Sequence, residues 1–95
     1  MTQYFRGRRK EWEVVKTLKA AGYRVVRSAG SHGPWDVCAV SPIEVILIQV
    51  KYHKTGKVSS SEISDFQTMA VPSDRVRKEV WIFTKGKRNP QIIVA

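Results

Sequence analysis

Three residues in the middle of the chain carry groups that a small core should exclude: Asp36, Gln49 and Lys51. Asp36 follows a glycine-rich loop, Ala29 to Pro34, and Gln49 and Lys51 end an apolar run, Val45 to Ile48. Hard divalent cations such as Mg²⁺ take oxygen ligands, commonly one or two carboxylates with waters and a substrate phosphate. Asp36 offers a carboxylate, Gln49 an amide oxygen, and the Val50 backbone carbonyl a third oxygen. Lys51 is suited to orient or help deprotonate a water on such a cation and to stabilise charge on an attacked phosphate. Together these parts allow metal-assisted phosphodiester hydrolysis. They also allow a structural salt bridge between Asp36 and Lys51 at a strand edge, and spacing alone leaves both readings open.

Elements must bring these groups together. "WDVCAV" (35–40) and "EVILIQVKYH" (44–53) read as two strands joined by the tight turn "SPI". Strand alternation puts Val45, Leu47, Gln49, Lys51 and His53 on one face, and Ile46, Ile48, Val50 and Tyr52 on the other. Asp36, Cys38 and Val40 share a face of the preceding strand. If the strands pair across the turn, Asp36 meets Gln49 and Lys51, which continue a line of core residues to its rim.

A helix is predicted over 8–21, ended by Gly22, with Val15, Leu18 and Gly22 in step and Val14 and Ala21 beside them. Glu11 falls on that apolar stripe, in the expected first turn, where the helix dipole favours an acid. From there the helix can cover the cluster. Glu13 shares its face with Arg9, Lys16 and Thr17 and reads as a solvated surface charge. "YRVVRS" (23–28) is a strand. "SSSEISDFQTMAV" (59–71) is a second helix with Ser59 and Glu62 as a capping box, an inner stripe of Ile63, Phe66 and Ala70, and Pro72 closing it. "EVWIFT" (79–84) and "QIIVA" (91–95) are the last strands, separated by the turn "KGKRNP". The order αβββαββ describes an α+β domain with a small mixed sheet flanked by helices.

Ninety-five residues make one domain near the lower limit for independent folding, so a dimer that hides more apolar surface is expected. No apolar run exceeds four residues, so no membrane span is expected. The single Cys38 excludes an internal disulfide and a multi-cysteine zinc site, which points to a reducing cytoplasm. Seventeen Lys and Arg against eight acids give a net charge of +9, which favours a polyanionic partner, nucleic acid before membrane.

A helix bearing an acid, then an Asp, then an acid-x-Lys at the end of the next strand is the PD-(D/E)xK nuclease pattern. More narrowly, "RGRRKE", "AAGYRVVRSAGSHGPWDV" and "VILIQVK" resemble the archaeal-type Holliday junction resolvases. The likeness is strong over the first half and extends to the second only as element order. It implies a restriction-endonuclease-like fold over 1–95 as a single nuclease domain. It also implies a homodimeric, Mg²⁺-dependent (or Mn²⁺-supported) endonuclease acting on branched DNA such as four-way junctions, in a cellular or viral cytoplasmic setting. Carried onto this chain, Glu11 and Asp36 are metal-site acids, Lys51 is the catalytic lysine and Gln49 stands at the second acid. The loop serine, Ser31 or Ser28, contacts the scissile phosphate, and Arg6, Arg8 and Arg9 track the DNA backbone.

Two departures stand out. Trp35 precedes Asp36 where the pattern has proline, and Gln49 removes a negative charge from the metal site. His32, His53 and Lys54 are further candidate DNA contacts; an exposed loop histidine and a strand-end surface residue are the plainer readings of His32 and His53. Trp81 and Phe83 share a strand face, as core or as dimer interface. Two other functions fit the same residues: a nickase, flap or restriction-like nuclease, and a DNA-binding module whose site has decayed at Gln49.

Overall fold

The computed structural model describes the backbone of residues 3–28, 34–55 and 57–95, and side chains from Arg8 onward. Five strands form one mixed sheet in sequence order: β1 (Arg24–Arg27), β2 (Val37–Val40), β3 (Val45–His53), β4 (Val76–Thr84) and β5 (Gln91–Val94). Neighbours are antiparallel except β3 and β4, which run parallel and are joined through α2 (Ser60–Thr68). A parallel pair needs a crossover, and α2 provides it. With α1 (Gln3–Ala20) the element order is the αβββαββ expected.

Each helix covers one face. Val14, Val15 and Leu18 of α1 pack on Val37, Ala39, Ile46, Ile48, Trp81 and Phe83. Ile63 and Phe66 of α2 pack on Val80 and Ile82 from the other side. Trp81 and Phe83 are therefore core residues. Helix α1 ends as a Schellman motif: Gly22 has φ +98°, Tyr23 N–H donates to Leu18 O at 3.1 Å, and Gly22 N–H to Lys19 O at 3.0 Å. Only glycine takes that backbone conformation at little cost.

Two expectations about helices are corrected. Helix α1 starts at Gln3 rather than at 8, so Glu11 lies about two turns inside it and gains nothing from the terminal dipole. Helix α2 stops at Thr68, leaving Ala70 exposed outside it, and Met69 packs against the core instead. Buried Lys78 accounts for the early stop. Its Nζ donates to the carbonyls of Phe66, Gln67 and Met69 at 2.9, 2.6 and 2.7 Å, so a cation closes the negative end of the helix. At the other end the Ser59–Glu62 capping box is present.

The strand β4 begins three residues earlier than predicted, at Val76. Arg77 and Glu79 face α1, where Arg77 Nε donates to Glu79 Oε2 at 2.8 Å and Trp81 Nε1 to Glu79 Oε1 at 2.9 Å. Arg77 also bonds Glu44, which accepts from the Tyr23 hydroxyl at 2.6 Å. This network on one face, with the Lys78 bonds to the end of α2 on the other, lets three consecutive charged residues, Arg77 to Glu79, run through a strand.

Candidate functional site

Strand β2 stops one residue short of Asp36, while its partner β3 runs on through Gln49, Val50 and Lys51. The result is a notch at the carboxyl end of the parallel pair. Asp36 N–H closes the ladder on Ile48 O at 2.9 Å, and its carboxylate Oδ2 accepts from Val50 N–H at 2.8 Å. The side chain thus stands in for the missing strand. Within a strand the N–H and C=O of one residue point the same way, so the Val50 carbonyl also faces the notch. On the loop side, Ser28 N–H donates to Asp36 O at 2.8 Å and ties the end of β1 to this corner.

Gln49 enters the notch from the next position of the ladder. Its Nε2 donates to Pro34 O at 3.1 Å, which orients the amide, and its Oε1 is buried without a hydrogen-bond partner. A buried oxygen left unpaired costs about 1–3 kcal/mol, so a cation or water there recovers free energy. Lys51, half-buried, lies close enough to act on Asp36 electrostatically, yet among the described residues no ion pair joins them. The salt-bridge reading of these two residues therefore falls away.

Glu11 reaches the notch differently than expected. Helix α1 covers the face of Ile46 and Ile48, opposite to that of Gln49 and Lys51, whose neighbours Val45 and Leu47 are only half-buried. Glu11 nonetheless lies close enough to Asp36 to act on it electrostatically. Its Oε1 accepts from Arg27 Nη1 at 3.0 Å, and the Arg27 guanidinium stacks 5.0 Å from the Trp12 ring centroid. Burial pushes the Glu11 carboxyl above its ordinary value and the charge of Asp36 adds to the rise, while Arg27 and Arg8 oppose it. Burial likewise raises Asp36, against the Val50 N–H and Lys51. Two partly buried acids close enough to repel favour a positive charge beside them over two uncompensated negative ones.

The other predicted residues are spread around this corner. Arg8, Arg9 and Lys54 are exposed. His53 Nε2 lies 3.0 Å from Glu62 Oε2, so it braces the start of α2. Glu13 is exposed as expected, but pairs with Lys10 at 3.2 Å rather than with Arg9 or Lys16. Cys38 is half-buried, with its thiol pushed up by burial. Ser31, His32 and the side chain of Arg6 lie outside the described residues. Sequence reasoning missed Arg27 and Trp12; the alternation of Val25 and Arg27 on β1 was the available signal, since both face α1. Among the described residues no group of three His, Cys, Asp or Glu side chains gathers.

Comparison with known proteins agrees with this fold. The structure of Hjc from Archaeoglobus fulgidus, a Holliday junction resolvase from an archaeal hyperthermophile, superposes with a TM-score of 0.67 at 24% identity, over 90% of this chain and 73% of that one. The fold is shared. The family model of the archaeal Holliday junction resolvases matches residues 2–95, extending the likeness beyond the first half of the sequence. The chain belongs to the archaeal Holliday junction resolvase (Hjc) family, and so to a family of nucleases.

Proposed function

We propose that the protein is a divalent-metal-dependent endodeoxyribonuclease that cuts branched DNA, four-way junctions above all, as a homodimer. The observation that carries this reading is the buried, partnerless Gln49 Oε1 beside Asp36. The donor set fits a hard cation: Asp36 Oδ1, Gln49 Oε1 and the Val50 carbonyl would hold Mg²⁺ or Mn²⁺, with Glu11 as the nearby second acid. Such a cation, when bound, polarises a water and offsets charge on the attacked phosphate.

The residues of the chain do the rest. Asp36 is fixed by Val50 N–H, so one carboxylate oxygen keeps its direction. Lys51 projects from the same strand face as Gln49, where an ammonium offsets phosphate charge and holds a water by hydrogen bonding. The exposed Arg8 and Arg9 give the sequence-independent attraction that brings DNA to the notch. The Glu11–Arg27 ion pair is the observation that favours a non-cleaving DNA-binding module, because it engages one of the two acids.

A panel of synthetic substrates separates the readings. Paired symmetric nicks on a four-way junction, with flap and linear duplex left intact, are expected in Mg²⁺. Equal cutting of flap or duplex would replace the junction assignment, and tight binding without cleavage in Mg²⁺ or Mn²⁺ would establish the binding module.

A further inference from the structure

The turn between β4 and β5 carries cations that the notch does not use. Thr84 to Lys87 is closed by Lys87 N–H donating to Thr84 O at 3.0 Å, with Gly86 at φ +83°, the third-position glycine of a type II turn. Lys85, Lys87 and Arg88 are all exposed on it. Lys85 N–H also donates to His53 O at 3.2 Å, which pins the turn to the end of β3. A groove of about 560 Å³ opens between this turn and α1, walled by Lys85, Lys87, Arg88, Arg9 and Lys10. Its floor is Tyr52 and Thr84, and its one acid, Glu13, is already paired with Lys10. Among the described residues Arg9, Lys85, Lys87 and Arg88 form no ion pair.

Four unpaired cations at one concave surface make a polyanion site, and the position in the fold selects the polyanion. Lys51 is registered with Ile82, so Lys85 lies three residues further along the neighbouring strand. That is a separation on the order of 10 Å at the rise of a strand. About three nucleotides of one duplex strand, at about 3.4 Å of axial rise each, span the same distance. The groove and the notch lie at the same end of the parallel pair, the groove on the face covered by α1 and the side chains of Gln49 and Lys51 on the other. A turn held by backbone hydrogen bonds presents its cations without ordering a loop on binding, which suits a regular ladder of phosphates.

We infer that the Lys85–Arg88 turn, with Arg9, is a second phosphate-backbone site that grips the duplex arm flanking the cut. This rests on the DNA-cleaving reading above and adds a surface to it. The test is the triple variant Lys85→Gln, Lys87→Gln, Arg88→Gln, all exposed positions, compared with a control variant Lys19→Gln, Arg24→Gln at the opposite end of the sheet. Binding of a fluorescent four-way junction and of linear duplex is measured across a salt series, with poly-glutamate as a second probe.

The expected result is weaker binding to both DNAs and a salt slope smaller by about 2–3, close to one for each phosphate no longer neutralised, with the control slope in place. An unchanged slope in the triple variant, while the wild-type protein binds DNA normally, overturns the second site and leaves the nuclease reading standing. Loss of poly-glutamate binding without loss of DNA binding overturns it in favour of an acidic protein partner. Failure of the wild-type protein to bind either DNA overturns both readings together.

Discussion

Pro34 holds Gln49: the proline carbonyl accepts from Gln49 Nε2 at 3.1 Å, and the amide oxygen is left buried and unpaired beside Asp36. An amide is the one side chain of this size that can donate to the loop and offer an oxygen to a cation at once. A carboxylate here would oppose two oxygens, its own and that of Pro34. The glutamine is thus compatible with a working cation site and costs it one negative charge.

Gln49→Glu should accordingly tighten Mg²⁺ binding by about tenfold, or ~1.4 kcal/mol, while lowering the stability of the metal-free protein. Titration calorimetry with Mg²⁺ and urea unfolding in chelator measure the two halves. Weaker Mg²⁺ binding in the variant would mean that the amide is not a ligand.

The pH dependence follows from Asp36 and Glu11, both raised chiefly by burial. A carboxyl whose folded pKa exceeds its unfolded value favours folding when protonated. That contribution is fully present below the unfolded value, about 4, and is lost as pH rises through the folded one. Asp36→Asn should therefore stabilise the metal-free protein at neutral pH and remove its share of the pH dependence. Thermal unfolding across an acid-to-neutral series checks this, and a less stable variant at neutral pH would contradict it. Mg²⁺ must displace the same protons, so its affinity should rise with pH through this window, with proton release visible in calorimetry.

Arg27 neutralises Glu11 from β1 while stacked on Trp12. Arg27→Met keeps much of the stacking bulk and removes the charge. It should cost about 1–3 kcal/mol in urea unfolding, because a partly buried carboxylate loses its donor. It should also move the acid limb of Mg²⁺ binding to higher pH. An unshifted limb would mean that Glu11 stands outside the metal site.

Lys78 closes α2 through three carbonyls and is 8% exposed. Lys78→Met should destabilise the fold by about 2–4 kcal/mol, each hydrogen bond from a charged donor being worth about 1.5–3 with partial recovery by water. Urea or thermal unfolding reads this directly. A variant as stable as wild type would show that α2 ends for another reason.

The meeting of Asp36, Gln49 and Lys51 was legible because strand alternation is a local rule and the turn between β2 and β3 is short. Gly22 and the capping box at Ser59 were legible for the same reason, as each acts on its own turn of helix. What escaped depends on partners distant in sequence. Nothing near Lys78 announces that two carbonyls of α2 and that of its cap Met69 will surround it, and the start of β4 at Val76 was missed because the partner of Arg77, Glu44, lies 33 positions away. Glu11 was misplaced in its helix in the same way: residues 3–7 of α1 were not foreseen, and Arg27 is 16 positions away. The fold followed from patterning; the electrostatics of the site needed coordinates.

The most direct test is single-turnover cleavage of a synthetic four-way junction by the wild-type protein, Asp36→Ala and Lys51→Ala, each in Mg²⁺ and in chelator. Paired nicks by the wild-type protein in Mg²⁺ alone are predicted, with a loss of about 100-fold or more in each variant while junction binding stays largely intact. Full cleavage by either variant, or cleavage by the wild-type protein in chelator, would contradict the assignment of Asp36 and Lys51 as the heart of a metal-dependent nuclease site.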